Sequence, residues 1–139
     1  MDILDTFNIS GSGLSAQRLR LQTIASNMAN ARTTRTDEGG PYSRKVPVFE
    51  ALEIDPFGSE VERNVASVEV SSVEDVGEFK ELYDPTHPDA DEDGFVLMPD
   101  INILEEMVDM MTTSRTYESN LKVVDLTREM AMKAIELGR

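Results

Sequence analysis

Through the first thirty-one residues, Ile3, Phe7, Ser10, Leu14, Gln17, Leu21, Ile24, Met28 and Ala31 recur alternately four and three apart, seven of the nine apolar. That is the spacing of a coiled-coil seam. As one helix it would run roughly 40 Å at about 1.5 Å per residue, a stripe too long and narrow to bury by itself. The same spacing returns at the other end of the chain in Ile103, Met107, Met110, Ser114, Tyr117, Leu121, Val124, Arg128, Ala131 and Ile135. This helix is predicted from about Asn102 to Leu137, capped by Asp100 or Asn102 and stopped at Gly138. It carries a second stripe, Val123, Leu126, Met130, Ala134 and Leu137, about 100° around. One stripe is enough to pair the two helices, so the other is left for further chains.

Ser10, Gln17, Ser114 and Arg128 interrupt the seams, either fixing a register at some cost in stability or facing water. Gly11 and Gly13 allow two readings of the first helix. It starts near Ser12 after a separate turn, or it runs through and the glycines admit a close neighbour. Phe7 and Leu14 keep the heptad across the break, which favours the second. Asn27 and Asn30 share one face, placed to satisfy a neighbouring backbone or each other, although Asn30 also suits a helix C-terminus.

Between the helices, Thr33 to Pro41 reads as a loop. Val46, Val48, Leu52 and Ile54 alternate around Pro47 as an edge strand would, 55–59 is a turn, and cleaner alternation begins at Asn64. Two to four short strands are expected. The predicted fold is mainly α: long N- and C-terminal helices packed as an antiparallel coiled-coil-like pair, with a small β-rich or irregular region between them. The divisions are an assembly helix at 1–32, an acidic loop and short-strand region at 33–99, and a second assembly helix at 100–139.

Charge sharpens this division. The net charge is −14, yet residues 1–50 carry six basic and five acidic side chains and residues 111–139 five and four. Residues 51–110 carry two and eighteen, so the whole excess lies in the middle. Near-neutral ends suit close packing among chains, an acidic centre suits solvent or a basic partner, and nucleic acid is excluded as a partner. The chain has no cysteine, no run long and apolar enough to span a membrane, and acidic residues where a secretory signal would be basic. No cleaved signal or membrane anchor is expected.

Candidate chemistry is sparse. Asp89, Asp91, Asp93, Gly94 and Val96 match the opening of a calcium loop, with Asp100 at its twelfth place. Against that, Asp100 is shorter than the usual Glu, Pro85 and Pro88 block an entering helix, Pro99 occupies the eleventh place, and there is no second loop. A solvated acidic turn is the better reading, and no metal or cofactor is expected. His87 is the only histidine and has no catalytic companion in sequence, while Met107, Met110 and Met111 have the spacing of packing residues. No enzyme is predicted.

Two blocks carry a resemblance. The run Ser26-Asn27-Met28-Ala29-Asn30-Ala31-Arg32-Thr33, followed by Gly39-Gly40-Pro41-Tyr42-Ser43-Arg44-Lys45, is similar to the N-terminal signature of the bacterial flagellar rod and hook family of axial proteins. The second block runs from Tyr83-Asp84-Pro85-Thr86-His87-Pro88-Asp89-Ala90-Asp91 through Gly94-Phe95-Val96 and Pro99-Asp100-Ile101-Asn102 to Glu106-Met107, and it resembles rod members of that family. It departs at Asp100, where members often carry asparagine. The resemblance covers both ends and the second linker and leaves 46–80 largely unmatched.

It implies a structural subunit of the flagellar basal body, part of the rod that crosses the periplasm and transmits torque from motor to hook. The implied partners are copies of itself, other rod proteins, a rod–motor junction protein and the flagellar type III export apparatus. The expected assembly interface is Leu14, Leu21, Ile24, Asn27, Met28 and Asn30 on the first helix, with Met107, Met110, Tyr117, Leu121, Val124, Met130, Ala134 and Leu137 on the last. The alternatives are a calcium-binding module at 89–100 and a soluble coiled-coil adaptor or secretion chaperone.

Overall fold

The computed structural model describes residues 3–53 and 66–138, with side chains described for 5–52 and 66–138. The expected turn at 55–59 and strand start at Asn64 lie outside the described residues, as does the side chain of Ile3. The elements in order are α1 (Ile3–Ala29), β1 (Arg44–Glu53), β2 (Ala66–Val76), β3 (Phe79–Tyr83), β4 (Phe95–Pro99) and α2 (Ile103–Leu137).

Helix α1 runs unbroken through both glycines. A Cβ at Gly11 would meet nothing within 4 Å, whereas one at Gly13 would lie 3.3 Å from Asn120 Nδ2 on α2. Only Gly13 therefore serves the helix contact, and it faces a side chain rather than a backbone. Gly11→Ala should stabilise the isolated chain by about 0.5–1 kcal/mol, because alanine is the better helix former and nothing obstructs it. Gly13→Leu should destabilise it by about 1–3 kcal/mol through overpacking against α2. Urea unfolding of the two variants checks the opposite signs.

Helix α2 begins where Asn102 caps it: the Asn102 side chain accepts the Leu104 N–H at 3.1 Å, and Glu105 and Glu106 occupy the first turn. Asn27 approaches Glu106 while Gly13 approaches Asn120, so α1 and α2 run in opposite directions. An adjoining side of α1 carries the β1–β2 ribbon, where Ser12 Oγ accepts the Val68 N–H at 3.1 Å. Strands β1 and β2 are antiparallel from Arg44↔Val76 to Glu53↔Ala66, with a bulge between Val48 and Phe49. Strands β3 and β4 form a separate antiparallel pair, Phe79↔Pro99 to Tyr83↔Phe95.

The class is mixed α/β, which corrects the expectation of a mainly α protein built on a coiled-coil-like pair. Two differences produce this. The strands of the first ribbon are 10 and 11 residues long, because the weak alternation around Pro47 continues into an extended two-stranded ribbon in which each strand has a free edge for a proline. The helix contact is also not an apolar seam. The buried residues of α2 are Glu106, Thr113 and Thr127, with Asn120 half-buried at the intervening heptad place.

Expected seam residues Met107 and Leu121 are instead exposed. With Glu106 turned inward, Met107 lies about 100° away, while positions 110, 113, 117, 120, 124, 127 and 131 come round to α1. The period was legible but the phase was not. The remaining core is small: Ala31, Tyr42 and Ile101 form one buried cluster, and Ala16, Ile24 and Val96 are buried elsewhere.

Candidate functional site

Two features organise the described surface: a buried polar anchor that joins three segments, and an apolar face of α2 that nothing covers. The anchor centres on Asn27, which exposes almost no surface. Its Oδ1 accepts the Lys45 backbone N–H at 2.9 Å and the Tyr42 hydroxyl at 3.0 Å. Its Nδ2 donates to the Lys45 carbonyl at 2.9 Å and to Glu106 Oε2 at 3.4 Å. All four hydrogen-bonding places of one amide are therefore used, by β1, by the preceding loop and by α2.

Glu106 is only 2% exposed, and its Oε1 accepts Arg44 Nε at 2.8 Å and Nη2 at 2.6 Å. A carboxylate buried so deeply requires such a partner, since desolvation would otherwise cost more than packing returns. The Arg44 side chain is 37% exposed, beside a hollow of about 220 Å³ walled by Arg20, Ile24, Val46 and Asp109 among others. Asn30 serves α1's own end: its Nδ2 donates to the Ser26 carbonyl at 2.9 Å, and its Oδ1 accepts the Thr33 hydroxyl at 3.1 Å. Among the described residues no non-glycine has a positive φ, so Asn30 does not adopt the left-handed conformation open to it.

The sequence-derived interface residues divide between these features. Ile24 and Asn27 are buried in the subunit, and Leu14, Leu21, Met28, Asn30, Met110, Tyr117 and Val124 are half-buried along the helices. Met107, Leu121, Met130, Ala134 and Leu137 are exposed. The outer face of α2 also includes Leu104, Val108, Met111 and Leu126. Sequence reasoning missed Tyr42, Arg44 and Glu106 as partners. The available signal was that all three stand inside the two motif blocks.

The acidic loop is organised by its own backbone. Asp91 Oδ1 accepts the N–H groups of Asp93 at 3.0 Å and Phe95 at 2.7 Å, and Gly94 takes φ +84 to complete the turn. Asp89 Oδ2 accepts the Thr34 hydroxyl at 2.8 Å, tying this loop to the one after α1. The Thr86 hydroxyl and N–H hold the Asp84 carboxyl below its usual range. Asp91 thus holds the turn, and Asp89 the tie to the neighbouring loop. Among the described residues no three His, Cys, Asp or Glu side chains converge as metal ligands, and no helix is long and apolar enough to cross a membrane.

Comparison with known proteins follows the same two ends. Residues 7–35 match the family of flagella basal body rod proteins, and residues 92–137 match the C-terminal family of flagellar basal body rod FlgEFG proteins. Over nearly the whole chain, similarity extends to flagellar basal-body rod proteins FlgC. The protein of Aquifex aeolicus is 46% identical over 98% of this chain and 97% of its own length. That of Borreliella burgdorferi is 36% identical over 99% and 98%, and that of Salmonella typhimurium 37% identical over the full length of both. The motifs at both ends, the elements they build and the full-length similarity agree, and the chain belongs to the FlgC family of flagellar basal-body rod proteins.

Proposed function

We propose that this chain is a structural subunit of the proximal rod, polymerising through its terminal helices into the shaft that carries torque from motor to hook. Its place is the rod of the flagellar basal body. Within that rod it associates with copies of itself and with other rod proteins, engages a rod–motor junction protein at one end, and reaches its site through the flagellar type III export apparatus. The role is mechanical, and no reaction is ascribed to any side chain.

The observation that carries this reading is the bare apolar face of α2. Leu104, Val108, Met111, Leu126 and Met130 stand in water on a helix whose inner face is already occupied. At about 25 cal/mol per Å², burying five such side chains against a neighbour contributes several kcal/mol before the entropy of association is subtracted. Repeated around a lattice, contacts of that size support cooperative growth. The anchor at Asn27 and Glu106 supports the same reading, because a shaft needs its helices and its outer ribbon to turn as one body.

The chain has no cysteine, so single cysteines can report contacts without background. Met130→Cys and Leu126→Cys, oxidised in isolated basal bodies, are expected to cross-link neighbouring subunits, whereas Ser71→Cys on β2 is not. The dilute chain should give no cross-link at any of the three. Cross-linking at Ser71 alone would overturn the assignment of the α2 face.

A further inference from the structure

A second exposed surface lies away from the helices, on the β3–β4 ribbon. Residues directly opposite in an antiparallel pair project from the same face, and alternate residues of a strand share it. The register Glu81↔Leu97 and Tyr83↔Phe95 therefore puts Phe79, Glu81, Tyr83, Phe95 and Leu97 together. All five are exposed, Tyr83 by 64% and Phe95 by 41%. On the opposite face β4 is seated on the body through Val96, which is buried, and Met98, which is half-buried, while Lys80 and Leu82 of β3 stay exposed; Pro99, across from Phe79, is buried and ends the exposed patch.

This platform is held rigid. The Tyr83 and Phe95 rings meet edge to face at 5.3 Å. The Asp84 N–H donates to the Gly94 carbonyl at 3.0 Å and the Asp91 N–H to the Phe95 carbonyl at 2.9 Å, closing the ribbon's end. A pre-formed apolar and aromatic surface of this kind binds with little ordering cost.

The chain nearest it in sequence is mostly acidic, although Arg35 lies 3.9 Å from Asp89 and Arg32 lines a hollow with Lys80 and Leu82. From residue 66 to residue 100 the chain has eleven acidic side chains and a single basic one, Lys80. Lys80 alternates to the other face, where its Nζ lies 3.5 Å from Asp100. Glu81 stands within the apolar face itself, with Glu78 and Asp84 flanking it in sequence.

We infer that the Phe79–Tyr83 and Phe95–Leu97 face docks a segment of a different protein in which lysine or arginine alternates with apolar side chains. A second copy of the same face would set Glu81 against Glu81, and the basic side chains of this chain's ends are offset by nearly as many acidic ones, so a segment with an excess of basic charge is the better complement. Nucleic acid and anionic lipid share the platform's sign and are repelled by it. The contact is separate from the α2 face through which subunits are proposed to assemble.

The test uses the full chain at a concentration where it is monomeric, with a ten-residue peptide alternating lysine and leucine as probe. Its binding is expected to move the amide NMR signals of 79–83 and 95–97 and to weaken by about tenfold in Glu81→Lys and again in Tyr83→Ser. Both substitutions replace exposed side chains, and Glu81→Lys leaves the aromatic pair intact should Tyr83→Ser perturb the ribbon. Met130→Asp should leave binding unchanged. The inference is overturned if a lysine–serine peptide binds equally well, since charge alone would then suffice. It is equally overturned if the shifted signals lie on α2, or if sedimentation reveals a dimer that Tyr83→Ser dissolves, which would make a second copy the occupant.

Discussion

Arg44→Met is expected to lower the unfolding free energy of the isolated chain by about 3 kcal/mol, near the lower end of the range for breaking a buried pair. The carboxylate of Glu106 is almost wholly enclosed, and both strong hydrogen bonds to its Oε1 come from Arg44. Without them it keeps only the long contact from Asn27 Nδ2 at 3.4 Å. The reverse substitution should be milder. Glu106→Gln leaves a neutral group in the buried place and frees an arginine that already reaches solvent, so a loss of about 1–2 kcal/mol is expected. The double variant Arg44→Met with Glu106→Leu should recover most of the loss, because neither charge then remains to be desolvated. Urea unfolding measures all three. Equal losses for the two single variants would mean that Arg44 and Glu106 are not coupled as the geometry indicates.

Met130→Asp should abolish rod assembly while changing the stability of the isolated chain by less than about 0.5 kcal/mol, as substitutions at exposed positions generally do. Met130 is 55% exposed and far along α2 from the anchor, so the folded subunit loses little. In an assembled rod the same residue is proposed to lie against a neighbour, where an unpaired carboxylate costs several kcal/mol at every repeat of the contact. Leu121→Asp tests the other flank of α2, nine residues and about 180° round the helix from Met130, at a position likewise exposed in the subunit. Circular dichroism and urea midpoints should match the parent chain for both. Electron microscopy of basal bodies and swimming assays should show the loss. Normal rods carrying either aspartate would remove that flank of α2 from the assembly contact.

What the sequence revealed depended on which interaction decides each feature. The extents of α1 and α2 follow from local chemistry: the heptad carries Phe7 to Leu14 across two glycines, Asn102 caps, and Gly138 closes. The rotation of α2 does not. Hydrophobicity places Met107 inside and Glu106 outside, but a bidentate arginine 62 residues earlier reverses them. Such a pairing is a long-range event with no periodic trace.

The strands were misjudged for a related reason. Val46 and Val48 alternate weakly around Pro47 while Val68 and Val70 alternate more cleanly, and the length of a ribbon is set by its partner's register rather than by either strand alone. The class therefore moved from mainly α to mixed. Of the candidate site, Asn27 was singled out for its face and its motif, and its partners Tyr42, Lys45 and Glu106 were quoted without being joined to it. In the calcium-like loop the composition alone suits two readings, because Asp91 and Gly94 satisfy a turn as well as they would a metal.

The account rests on subunits that meet through the outer face of α2 while the anchor at Asn27, Arg44 and Glu106 stays closed. A cryo-electron microscopy map of the intact basal body, at a resolution that shows side chains, tests both halves together. The predicted map has α1 and α2 in the wall of one tube, Leu126 and Met130 buried against an adjacent subunit, and Glu106 still bridged to Arg44. A map in which the α2 face remains in solvent, or in which α2 has separated from Arg44 to pair with another chain, would contradict it.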